Sequence, residues 1–142
     1  MSIKILAVTA VLSLVSLPVF AEILIIDAYA RSASPNAKSG AAFMQIENTG
    51  DSDDRLIDVR SDAAKRVQLH THVMQDGIAN MMHVAEGFEV LAEATVMLER
   101  GGKHVMFMGL NGPFVQGETV LVTLIFEHAG EIEIEVPVDL ER

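Results

Sequence analysis

The sequence predicts an all-β sandwich. Short runs of alternating or β-branched residues recur at regular spacing, clusters of Gly, Pro, Asn and Asp separate them, and no segment carries a convincing helical period. Neither an internal repeat nor a domain linker interrupts the pattern, so one domain with one core is expected.

Residues 1–21, MSIKILAVTAVLSLVSLPVFA, read as a secretory signal peptide rather than as part of the fold. Lys4 supplies a basic start, Ile5 to Leu17 an apolar stretch, and Val19-Phe20-Ala21 a small-x-small cleavage site. The apolar run is short for a membrane-crossing helix, and no stop-transfer pattern follows it. With no Cys after the cleavage site to carry a lipid, the expectation is an exported domain of residues 22–142, without membrane insertion once the signal is removed.

EILIIDAYA (22–30) is then the first strand, and RSASPNAKSG (31–40) a polar loop broken by Pro35 and Gly40. AAFMQIEN (41–48) alternates as the second strand, TGDSDD turns, and RLIDVRS (55–61) is the third. Asp62-Ala63-Ala64 offers one helical turn before KRVQLHTHVM (65–74). FEVLA (88–92) and ATVMLER (94–100) are short strands about a turn at Glu93, and Gly101-Gly102 releases the chain into KHVMFMGL (103–110). NGPFVQGE is turn-rich. TVLVTLIFEH (119–128) is strongly β-branched, Ala129-Gly130 turns, and EIEIEVPVDL (131–140) alternates as a strand with one wet face.

Charge excludes some functions. Without residues 1–21 the chain has 121 residues (142 less 21), with nine basic side chains against twenty acidic ones. Such a surface does not bind nucleic acid, which needs a basic face, nor an anionic membrane; it suits cations or basic partner patches. Cysteine is absent, so stability comes from the core rather than from disulfides, and a paired-thiolate metal site is ruled out.

The 39 residues from His70 to Met108 hold four of the five histidines and six of the eight methionines. Thioether and imidazole together, without thiolate or carboxylate, suit Cu(I) far better than Mg, Ca or Zn. Asp76-Gly77 is a two-residue type I′ hairpin signal. With that turn, Gln75 pairs with Ile78, Val73 with Asn80, His72 with Met81, and His70 with His83. Paired residues share a face, so one face collects His70, His72, Met74, Met81 and His83. The other collects Val67, Leu69, Thr71, Val73, Ile78, Met82 and Val84, which reads as core. In KHVMFMGL, His104, Met106 and Met108 point one way and Val105 and Phe107 the other. A methionine in a sandwich ordinarily fills core, and Met44, Met82 and Met97 are read so. His128, before a turn, is read as solvated or hydrogen-bonded, and His72, His83 and Met108 stay open.

His70, ten residues, Met81, twenty-two residues, His104, one residue, Met106 resembles the His-x10-Met-x21-His-x-Met signature of the periplasmic copper chaperones called PCu(A)C. The resemblance runs from AYARSASPNAKSGAAFMQIENTGDSDDRL to GGKHVMFMGL. The interval from Met81 to His104 is one residue longer than the signature, whereas Met82 would fit it. Met81 is retained because the loop at Glu86-Gly87 can absorb a residue and the alternation gives Met82 to the core. The resemblance implies a cupredoxin-like Greek-key sandwich and a metal set of His70, Met81, His104 and Met106 holding Cu(I). It also implies a chaperone whose partner is a cytochrome oxidase subunit with a CuA-type centre, or another copper chaperone.

No Gly-x-Ser-x-Gly, His-Glu-x-x-His, Walker A or Rossmann glycine pattern occurs, so no enzyme is expected. A blue-copper electron carrier would need a Cys thiolate. The alternatives are a copper storage or buffering protein, a small copper metalloenzyme, and a structural sandwich with an incidental His/Met cluster.

Overall fold

The computed structural model describes residues 22–142; the expected signal peptide lies outside the described residues. Ten strands form: β1 (Ile23–Arg31), β2 (Ser39–Asn48), β3 (Asp54–Arg60), β4 (Ala64–Gln75), β5 (Ile78–His83), β6 (Phe88–Val90), β7 (Thr95–Leu98), β8 (His104–Leu110), β9 (Thr119–Phe126) and β10 (Gly130–Pro137). No helix occurs among the described residues, so none there is long and apolar enough to cross a membrane. β10 illustrates the rule the strands follow: Val136 is buried and Ile132 and Ile134 are partly buried, while Glu131, Glu133 and Glu135 remain exposed.

The strands form two antiparallel sheets. The larger runs β1-β2-β8-β4-β5, and β7 pairs with β2 beyond the stretch that β8 occupies. The smaller runs β10-β9-β3-β6. The chain passes repeatedly from one sheet to the other, as the all-β, cupredoxin-like Greek-key sandwich requires. A parallel bridge, Ala30 to Val138, ties the chain beyond β10 to β1.

Between the sheets, Met44, Ile46, Leu69, Val105 and Phe107 of the larger meet Leu56, Phe88, Val90, Leu124 and Phe126 of the smaller. Phe107 also meets Phe114 edge-on at 5.4 Å, a favoured aromatic geometry. This packing positions the other face. Because strand side chains alternate, inward Leu69 sends His70 outward, and inward Val105 and Phe107 send His104 and Met106 outward.

Two expectations fail here. Asp62 and Ala63 make a turn and Ala64 already opens β4, in place of a turn of helix, because the backbone amide and side-chain amide of Asn111 donate to the carbonyls of Ala63 and Asp62. Met97 is not core: it pairs with Gln45, whose neighbours Met44 and Ile46 take the inward places, and it is 44% exposed. Met44 is buried as expected.

The loop after β5 depends on Gly87. Its φ is +74°, and an added Cβ would lie 1.9 Å from the carbonyl oxygen of Leu56, so only glycine lets this loop pass against β3.

Candidate metal centre

The β4–β5 hairpin closes through Asp76 and Gly77 at φ 53° and 79°, the two positive angles of a type I′ turn. Its register pairs Gln75 with Ile78, Val73 with Asn80, His72 with Met81, Thr71 with Met82, and His70 with His83, as the turn predicts. On the other side of β4, His104 pairs with His70 and Met106 with Gln68. His83, His70 and His104 therefore form one row across three strands, with ring centroids 5.9 Å apart at each step. Phe43 and then Tyr29 continue that row, at 6.1 and 5.2 Å. One row away, His72 comes within 5.3 Å of His104.

Hydrogen bonds set the tautomers. The Nδ1–H of His104 donates to the carbonyl of Gly102 at 2.9 Å, and that of His72 to the same oxygen at 3.3 Å. A carbonyl only accepts, so in both rings the Nε2 lone pair is left free, the usual arrangement behind a metal-binding histidine. His70 differs. Its Nε2–H donates to the Gln68 amide oxygen at 3.1 Å, leaving Nδ1 buried with no partner among the described residues. A buried lone pair without a partner is costly, and a metal ion is one way to satisfy it.

Burial governs the charge state. His104 is 2% exposed and His70 9%. Desolvation, and then the like charges of His104 and His83, push the His70 pKa below its ordinary value. Desolvation lowers His104 too; the Gly102 carbonyl opposes this and nearby His72 reinforces it. Both imidazoles are therefore neutral at neutral pH, with lone pairs ready to bind.

His72, Met81, His104 and Met106 line one open depression of about 320 Å³. No Asp or Glu lines it, although the chain has twenty, and Arg31 and Arg100 stand in its wall. No group of three or more His, Asp or Glu side chains able to hold a metal occurs among the described residues, so a metal here would need the thioethers. Neutral imidazole and thioether donors without a carboxylate favour a soft, singly charged ion over a hard divalent one.

The structure therefore gathers three of the four expected residues, Met81, His104 and Met106, around the depression, while His70, beside His104 in its row, does not line it. It brings in His72, which the sequence left open. Met82 faces away from the histidines as predicted but is not core: it is 50% exposed, because among the described residues β5 is an edge strand paired only with β4. His128 is exposed on the smaller sheet's side, where its backbone amide donates to Asp54. The sequence reading missed Gly102, although pairing His70 with His104 places Gly102 opposite His72.

A family model described as "Putative lipoprotein LpqE-like" matches residues 23–138. "Putative lipoprotein Lxx21020" of Leifsonia xyli subsp. xyli is 37% identical over 98 residues, covering 69% of this chain and 59% of that protein. The match thus spans less than two thirds of that relative's length. Among solved structures, the copper-bound PCuAC domain from PmoF2 superimposes with a TM-score of 0.69 at 24% identity, covering 87% of this chain and 97% of that one. The likeness to it is one of fold. The Cu(I) form of DR1885 from Deinococcus radiodurans gives a TM-score of 0.64 at 29% identity, covering 82% of this chain and 79% of that one.

Proposed function

The chain belongs to the LpqE-like family, and on that premise we propose that it is a PCuAC-type metallochaperone that binds Cu(I) on His70, Met81, His104 and Met106. One observation carries the reading: two thioethers and neutral imidazole gather at a depression that no carboxylate lines, in a chain otherwise rich in carboxylates. The likeness to Cu(I)-loaded DR1885 supports the same cargo. The signal-like residues 1–21 and a relative named as a lipoprotein support export, and the working compartment is the periplasm.

The proposed task is delivery. Four neutral ligands leave the complex with the single charge of its metal and no thiolate bond to break. A CuA-type centre of a respiratory oxidase offers softer, charged thiolates, so copper passes downhill to it, directly or through another copper chaperone.

The test is anaerobic titration of residues 22–142 with Cu(I) against a competing chelator, then transfer to a reduced, soluble CuA domain while a chelator scavenges free copper. One tightly bound Cu(I) per chain and direct metallation support the proposal. Tight binding with transfer only through free copper makes the protein a copper store, and no Cu(I) binding overturns the reading altogether.

A further inference from the structure

We infer that His72, which lies outside the four-residue pattern, is itself a copper ligand and holds Cu(I) with Met81, His104 and Met106 at the mouth of the depression. The inference rests on the Cu(I) reading above and deepens it by naming a fifth binding residue.

Register supplies the first argument. His72 stands directly opposite Met81, so imidazole and thioether share one face at the closest cross-strand spacing available. His70 reaches Met81 only on the diagonal, because its direct partner on β5 is His83.

Orientation supplies the second. His72 and His104 donate their Nδ1–H groups to the same Gly102 carbonyl, so one backbone oxygen aligns both rings with Nε2 free. Their centroids are closer, at 5.3 Å, than the 5.9 Å between His70 and His104. Exposure supplies the third: His72 lines the open depression and is partly exposed, whereas His70 is nearly inaccessible and its Nε2 is engaged by Gln68.

Together these features give His72 the outer position and His70 the inner one. An ion entering from solvent meets His72 and Met81 first. While bound it passes to and fro between His72 and the buried lone pair of His70, so both rings carry it at equilibrium. Each step swaps one neutral imidazole for another, so the charge of the complex is unchanged and no proton or electron is required.

The experiment is nitrogen-15 NMR of the histidine rings of residues 22–142 during anaerobic Cu(I) titration, beside competition affinities for His72→Gln, His70→Gln and the Met81→Leu/Met106→Leu double variant. The ring spectrum of the unmodified sequence does not depend on any variant folding. Cu(I) is expected to shift His72 Nε2 together with His104 Nε2 while His128 stays still, and His72→Gln is expected to weaken binding about tenfold or more. An unmoved His72 Nε2, with His72→Gln within about twofold of the unmodified chain by the same scale, overturns the inference. If the double methionine variant then still loses copper, the Cu(I) reading stands without His72; if it also binds normally, both fail.

Discussion

Met81 stands directly opposite His72 across the β4–β5 hairpin, and its neighbour Met82 stands opposite Thr71. A single step along the ladder therefore separates the methionine that faces the imidazoles from the one that does not. Met81→Leu is expected to weaken Cu(I) binding by about tenfold or more while leaving the fold intact. Met82→Leu is expected to change neither affinity nor stability, the latter by no more than about 0.5 kcal/mol, because the residue is half exposed. Chelator competition and denaturant midpoints check both; loss of binding in Met82→Leu alone would move the ligand one residue.

The lowered pKa values of His70 and His104 fix the direction of the pH response. As pH falls through the ordinary value of 6.5, an unfolded chain takes up protons at these positions before the folded one does. Metal-free protein should therefore lose stability as pH drops from that value towards the lowered ones, and no further on their account below them. Copper must displace protons only where protons are bound, so Cu(I) affinity should hold at neutral pH and begin to fall only beneath the ordinary value of about 6.5, as pH reaches the lowered values, with a slope approaching two protons per copper. An affinity independent of pH down to about 4, well beneath the ordinary histidine value, would exclude imidazole ligation.

At Gly87 two penalties coincide, a positive φ and a carbonyl oxygen where Cβ would lie. Gly87→Ala should cost roughly 3 kcal/mol or more. Gly77→Ala, with positive φ but open space around it, should cost only about 1–2 kcal/mol. Equal losses in urea titrations would show that the close approach to Leu56 contributes nothing.

Phe107→Ala should destabilise the domain by about 3–5 kcal/mol, because the ring is fully buried between the sheets. Met97→Ala should fall within about 0.5 kcal/mol of the parent, since the side chain is half in solvent. Thermal or chemical denaturation of the two variants side by side distinguishes a core position from a half-exposed one at Met97.

Much of the site was legible because register was legible. Asp76-Gly77 admits one favoured hairpin turn, and that turn pairs His70 with His83 and His72 with Met81 without further information. What alternation cannot supply is whether a face is covered. Alternation places Met82 with the core because it shares a face with Leu69, yet the hairpin runs on to an edge strand where the smaller sheet offers no cover. Met97 failed because β7 is only four residues long, and its phase is set by pairing with β2 rather than by a visible pattern of its own. The role of Gly102 depends on a backbone carbonyl, which no residue letter reports.

The two halves of the proposed coordination sphere are anchored unequally. His104 and Met106 belong to β8, which has strands on both sides and core beneath it, whereas Met81 rides on β5, held by a single ladder to β4. In the proposed site, a small outward swing of the hairpin would lengthen the metal–sulfur contact at Met81 at the expense of its ladder to β4, with the interior strands left in place. Letting go of copper would then be separated, mechanically, from loosening the protein.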